Sequence, residues 1–245
     1  MISPTSPLVR KLSTFVALPA DDIELLAGFH RRRRTFEAGR QVIAEGEKRE
    51  CAYILAKAWA CCFKLLPDGR RQIVDFQIPG DFMGLRSLLF RTSDHSAEAV
   101  TDIEASEVMI GDILDAFSKA PRLGTAVLWA ASRDEAMAVE HLVNIGRRSA
   151  EERLAHFILE MEARLMLVGM ADEKGFACPL TQYHLADMLG LTAVHVNRIL
   201  RLLREKGLAH IQNRRVSIMD RQGLIKLAGF DEAYLDHDRP MLRWS

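Results

Sequence analysis

Cysteine is scarce in this chain and poorly placed for metal or redox chemistry: Cys51, Cys61, Cys62 and Cys178 form no CxxC pair. On a strand, the adjacent Cys61 and Cys62 point to opposite faces and cannot ligate one metal together. Reduced thiols in a cytoplasm are the expected state. Cys178 is expected to be an inert small hydrophobe, since a redox switch needs exposure and a low pKa. Net charge is also lacking, with 33 basic side chains against 33 acidic ones, so a uniformly basic nucleic-acid-binding surface is excluded. The opening MISPTSPLVRKLSTF has no apolar core of a secretory leader, and no run reaches the length of a transmembrane helix. Histidine is nearly absent between Thr35 and Ile110, where only His95 occurs. A metalloenzyme of the cupin type needs several histidines and a glutamate on paired strands, so that reading is disfavoured. No phosphate loop, HExxH pair or nucleophile–base motif is present either.

What is present is concentrated in TQYHLADMLGLTAVHVNRILRLLREK, Thr181 to Lys206. Leu185 and Leu189 share one helical face, and the small Ala186 beside them lets a second helix approach. Gly190 supplies a left-handed stop, and Thr192 caps a second helix whose inner face is Val196, Ile199 and Leu203. Residue types held at this many offsets are the helix-turn-helix signature. The outward face of the second helix carries Ala193, Val194, His195, Asn197, Arg198 and Arg201, a set suited to a DNA groove. Charge supports this locally. Between Thr181 and Lys226, eight basic residues, among them Arg214 and Arg215, meet only Asp187, Glu205 and Asp220. Thr181 and Gln182, at the start of the first helix, complete the DNA-binding candidates.

In chain order, the first dozen residues read as a loose arm before a helix near Asp21–Ala27 that Asp21 caps. Arg31–Arg34 reads as a solvated entry to the first strand, with a second DNA or anion contact as the alternative. From Thr35 to about Ile110, short apolar runs broken by Pro67-Asp68-Gly69 and Pro79-Gly80-Asp81 imply an all-β jelly roll. LRSLLF, from Leu85, reads as a short helix, and another follows at Asp112–Lys119. From Arg122 to about Ile145 runs a helix of about twenty-four residues, roughly 36 Å long, rich in alanine and suited to packing on a copy of itself. Gly146-Arg147-Arg148 breaks the pattern. Ser149 and Glu152 form a capping box for a helix reaching about Val168, and a polar loop, Gly169–Pro179, leads to the helix-turn-helix. Two short strands around Asn213-Arg214 make a wing whose arginines reach phosphates. The expected class is α+β, divided as a jelly-roll domain at 1–120, a linking and dimerisation helix at 121–146, a winged helix-turn-helix at 147–230 and a tail at 231–245 of no assigned role.

Jelly roll, long helix and winged helix in that order resemble the Crp/Fnr family of bacterial transcription regulators. GEKRECAYILAKAWA and PGDFMG are similar to its sensor segments, and LTQYHLADMLGLTAVHVNRILRLLREKGL to its DNA-reading unit. The resemblance implies a cytoplasmic homodimer on a two-fold symmetric double-stranded DNA site, with RNA polymerase a further partner and no membrane association. It places base reading on Ala193, Val194, Asn197 and Arg198. Arg198 suits the O6 and N7 of guanine, Asn197 can pair with adenine, and Thr192 and His195 fall to phosphate. Many members carry a glutamate where this chain has Val194, so the half-site is expected to differ.

The sensor departs further from the resemblance. Gly84, Leu85, Arg86, His95 and Ser96 are the candidate effector-pocket residues. Leu85 and His95 stand where cyclic-AMP-binding members carry a glutamate and an arginine, which argues against cyclic AMP. No cysteine precedes Cys51, which argues against an iron–sulfur cluster. Haem stays open through His30, His95 or His141, although a lone histidine is far more often a hydrogen-bonded residue. The effector is otherwise unassigned. A constitutive DNA binder whose pocket is filled by side chains such as Phe82 and Leu85 is the alternative within the same fold.

Overall fold

The computed structural model describes residues 6–235. It divides into two compact units, one holding the chain through Lys64 together with Asp75–Glu135, the other Leu65–Val74 with Ala136–Leu235.

The first unit is a jelly roll with helical flanks. Its strands are β1 (Arg33–Phe36), β2 (Gln41–Ile43), β3 (Cys51–Lys57), β4 (Ala60–Leu65), β5 (Arg71–Gln77), β6 (Phe82–Met83), β7 (Ser96–Ala99) and β8 (Ile103–Met109), the end of β4 and the start of β5 being counted with the second unit. They form two four-stranded sheets, ordered β1-β8-β3-β6 and β2-β7-β4-β5. Along β8, Ile103, Ala105, Ser106 and Val108 are buried, while Glu104 and Glu107 are half-buried and pair with Arg33 and Arg34 of β1. Cys61 and Cys62 are both buried on β4. The arginine run is the exposed entry to β1, ion-paired through Arg32–Asp112, Arg33–Glu104 and Arg34–Glu107.

The expected loose arm is instead a helix, α1 (Pro7–Ser13), for which Ser6 accepts the Val9 amide as a cap and Pro7 sits at the first helical position. Leu8, Val9 and Leu12 join a core with Leu26, Phe29, Ile54 and Phe82. Lys11 is buried and ion-paired with Asp81 at 2.7 Å. The next helix, α2 (Ala20–Gly28), begins at Pro19 rather than at Asp21, which lies inside the first turn. LRSLLF contains only a 3-10 turn at Arg86–Leu88. Helix α3 (Ile110–Lys119) precedes α4 (Pro121–Arg147), whose 27 residues span roughly 40 Å. Proline at its first position starts α4 rather than interrupting it, and Gly146 is absorbed into its last turn.

In the second unit the Ser149–Glu152 box forms: Glu152 Oε2 accepts the Ser149 amide at 2.6 Å, and Ser149 Oγ the Glu152 amide at 3.4 Å. It opens α5 (Ala150–Leu167), buried without interruption from Leu154 to Leu165. The segment expected as a polar loop holds two short strands, β9 (Ala171–Asp172) and β10 (Gly175–Ala177). These extend the wing strands β11 (Ala209–Gln212) and β12 (Arg215–Ile218) into one sheet ordered β11-β12-β10-β9. Helices α6 (Gln182–Leu189), α7 (Ala193–Glu205) and α8 (Arg221–Ala228) complete the unit, with a last 3-10 turn at Glu232–Leu235. The rest of the expected tail, 236–245, lies outside the described residues.

Candidate nucleic-acid interface

Helices α6 and α7 meet through Leu185, Ala186, Leu189, Val196, Ile199 and Leu203, all buried. Gly190 ends α6 at φ 64°, ψ 40°, its amide donating to Ala186 O, a conformation that costs a residue with a Cβ about 1–2 kcal/mol. The turn has a second holder that the sequence pattern does not reveal. Arg153 of α5 donates from Nη1 to Leu189 O and from Nε to Arg148 O, both at 2.9 Å.

Both helices are capped by threonine. Thr181 Oγ1 accepts the His184 amide at 3.2 Å while the Thr181 amide donates to His184 Nδ1 at 3.2 Å, a capping box closed by histidine. Thr192 Oγ1 accepts the His195 amide at 3.2 Å.

The outward face of α7 collects the remaining candidates. Val194 is 80% exposed. Arg198 is exposed, with Nη2 3.0 Å from His195 Nε2. Asn197 and Gln182 join α7 to α6 through both side-chain amides, Asn197 Nδ2 donating to Gln182 Oε1 at 2.6 Å and Gln182 Nε2 donating back to Asn197 Oδ1. Ala193 borders this set and Arg201 lies one turn beyond, 3.7 Å from Glu205. At the wing tip, Asn213 and Arg214 both take positive φ, 52° and 56°, the geometry of a two-residue hairpin turn. Arg214 and Arg215 are thereby exposed at the strand ends, Arg215 within 3.6 Å of Asp172. The tip of the β4–β5 hairpin belongs to this same unit, and Arg71 Nε donates to Asp187 Oδ2 at 2.8 Å.

The second unit also holds a buried polar cluster. Glu160 accepts from Tyr234 Oη at 2.7 Å and from His141 Nε2 at 2.9 Å, with Arg164 at 3.7 Å. His141 Nδ1 faces Val74 O at 3.0 Å. With an acceptor opposite each ring nitrogen, only the doubly protonated imidazole satisfies both. Burial alone raises the Glu160 pKa, but the charge and hydrogen bond of His141, with Arg164 and Tyr234, outweigh it and hold the carboxyl at about 2. Beside it, His156 stacks on Tyr234 and meets Phe230 edge-on. Burial drives its pKa down to about 4 despite nearby Glu160 and Glu140. Tyr234, in the segment given no role from sequence, therefore completes this cluster. Cys178 is buried as well, and burial pushes its thiol up to about 11, against thiolate chemistry.

The five effector-pocket candidates all lie in the first unit, engaged by neighbouring residues. A Cβ at Gly84 would stand 2.6 Å from Ile43 Cδ1, so a β2 side chain fills the space over this turn. Ser96 Oγ accepts the Glu45 amide at 3.1 Å and Gln41 Nε2 at 3.3 Å. Arg86 Nε donates to Asp94 Oδ1 at 3.1 Å, and His95 Nδ1 lies 2.7 Å from the same oxygen. Burial pushes Asp94 up, but the His95 hydrogen bond and the Arg86 charge outweigh it and hold the carboxyl low. His95 is shifted down, chiefly by burial. Leu85 is half-buried against the core and Phe82 lies within it. Of the other histidines weighed for haem, His30 Nδ1 is 2.9 Å from Ser106 Oγ and His141 is committed to Glu160. No cluster of three potential metal ligands occurs among the described residues.

A capped helix-turn-helix with a basic outward face and a wing, in a chain that also carries a jelly roll, defines a DNA-binding transcription regulator. A family model for the Crp-like helix-turn-helix domain matches residues 152–227, and one for the cyclic nucleotide-binding domain matches residues 33–120. The chain is 32% identical over 189 residues to the nitrogen fixation regulation protein FixK of Bradyrhizobium diazoefficiens, covering 77% of this chain and 78% of that one. It is 35% identical over 185 residues to a probable transcriptional activator of Rhizobium leguminosarum bv. viciae, 75% of each chain. The structure of FixK2 from Bradyrhizobium japonicum matches with a TM-score of 0.72 at 29% identity, over 80% of this chain and 96% of that one. This chain belongs to the Crp/Fnr family of transcription regulators. Its relatives are regulators and not enzymes, which disposes of the cupin alternative. No helix among the described residues is long and apolar enough to cross a membrane.

Proposed function

We propose that two copies of this chain pair through α4 and read a two-fold symmetric DNA site, each inserting α7 into a major groove. The observation that carries the reading is Val194, an apolar side chain 80% exposed among Asn197, Arg198 and Arg201. Contact with a thymine methyl gives such a residue a partner, and Arg198 beside it supplies the fork for guanine. Pairing is supported by an apolar stripe on α4, where Leu128, Val139 and Leu142 are 57, 58 and 73% exposed. These positions recur at helical spacing and have the composition of a seam between two helices. On this reading residues 1–120 form the sensor, 121–146 the pairing helix and 147–230 the DNA-binding domain.

A second reading concerns control. Gly84 under Ile43, and Arg86, Asp94, His95 and Ser96 paired among themselves or with the backbone, support a sensor that needs no ligand to adopt its binding form. Sedimentation and anisotropy on a symmetric duplex test both readings. A dimer that binds equally well before and after refolding from denaturant, with no added small molecule, is expected. A monomer that binds no duplex refutes the first reading, and loss of binding restored by cell extract refutes the second.

A further inference from the structure

The amide pair between Gln182 and Asn197 bears on which bases this reading face can distinguish. Each amide donates to the other: Asn197 Nδ2 to Gln182 Oε1 at 2.6 Å, and Gln182 Nε2 to Asn197 Oδ1. Two amides joined by two reciprocal hydrogen bonds form a closed ring, which uses on each the carbonyl oxygen and the amide hydrogen lying on the same side as that oxygen. Turning both amides over together regenerates the same ring. A carboxamide has only one such edge. It is also the edge with which asparagine reads adenine, accepting from N6 while donating to N7. Both residues are exposed, so the pair lies on the reading face itself. Their backbones are fixed independently, Gln182 following the Thr181 capping box and Asn197 one residue after the buried Val196.

We propose that Gln182 is a positioning residue that occupies the bidentate edge of Asn197. Asn197 then meets DNA only through its second amide hydrogen or its second lone pair, single contacts pointing in different directions. The expectation that Asn197 pairs with adenine is thereby revised: base discrimination at its position is weak in the native chain, and Arg198 carries the sequence preference. Removing the Gln182 amide frees the edge and creates an adenine preference. The inference rests on the DNA-reading role of α7 proposed above.

Selection of bound duplexes from a random library, with the full-length chain, tests it. Native protein, Gln182→Ala, and Gln182→Ala combined with Asn197→Ala are compared, with circular dichroism confirming that each is folded. The expected result is adenine enrichment at one half-site position in Gln182→Ala, about tenfold over the native chain, as a bidentate pair provides, and its disappearance in the double variant. A native chain already selecting adenine through Asn197 overturns the proposal. So does a Gln182→Ala variant that binds more weakly with an unchanged base profile, which makes Gln182 a phosphate contact. If native protein enriches no sequence at all, the DNA-reading role itself fails, an outcome distinct from either.

Discussion

Acidification attacks the second unit at His156. The ring is buried, stacked on Tyr234 with centroids 6.0 Å apart and edge-on to Phe230 at 5.0 Å. Glu140 Oε1 lies 3.3 Å from Nε2, and Glu160 and Glu140 both favour a proton on the ring, but burial, with Arg148 and His141, disfavours it more. The folded pKa is about 4 against 6.5 for a free histidine. Between those values the unfolded chain takes up a proton that the folded chain refuses. Stability contributed by the neutral ring is therefore fully present above pH 6.5 and lost as pH falls toward 4. At 1.36 kcal/mol per pH unit the loss totals about 3 kcal/mol, a large share of the ~5–15 kcal/mol that holds a domain together. Glu160 adds a second loss at lower pH, since its folded pKa of about 2 lies below the 4.5 of a free glutamate. Glu162, raised by burial, offsets part of this in acid. Urea unfolding followed by circular dichroism at intervals from pH 7.5 to 4.5 measures the slope. In His156→Phe, which keeps an aromatic ring between Phe230 and Tyr234, the slope should flatten by up to one proton. Identical slopes in native protein and variant would show that His156 is not held neutral by burial.

Other perturbations follow from the same geometry. Arg198→Ala should cost about 1–3 kcal/mol of binding and relax preference at one base pair in anisotropy titrations, whereas equal weakening on every sequence rules out base reading. Gly190→Ala has room for its methyl, the nearest atoms being 3.7 Å away on Arg153 and Ile145. Its left-handed backbone should nevertheless cost about 1–2 kcal/mol in urea unfolding. Ser149→Ala removes half of the α5 capping box and should cost about 1 kcal/mol by the same measurement. Leu142→Arg places a charge on the apolar stripe of α4 and should shift sedimentation toward monomer; an unchanged dimer moves the interface elsewhere.

The helix-turn-helix was legible because its constraints are local and steric. Ala186 under the second helix, Gly190 in the left-handed turn and Val196 with Ile199 inside each allow few alternatives. The Ser149–Glu152 box was legible for the same reason. Helix α1 was not, because Lys11 interrupts its apolar face and is accommodated only by Asp81, seventy residues away in sequence. Strands β9 and β10, of two and three residues, are too short to show alternation and exist because the wing gives them partners. Arg153 and Tyr234 escaped notice because their roles depend on long-range partners, Leu189 O and Glu160. At the candidate site, sequence placed the candidate residues on the outward face of the second helix but could not reveal that Asn197 is engaged by Gln182 and Arg198 by His195.

The central claim is that this regulator reads a two-fold symmetric site through α7, and enrichment of bound duplexes from a random library tests it most directly. The account predicts an inverted repeat with half-site centres about one helical turn, or a multiple of it, apart, containing a guanine preference that Arg198→Ala removes. Enrichment of a single unpaired half-site, or a pattern indifferent to Arg198, would contradict it.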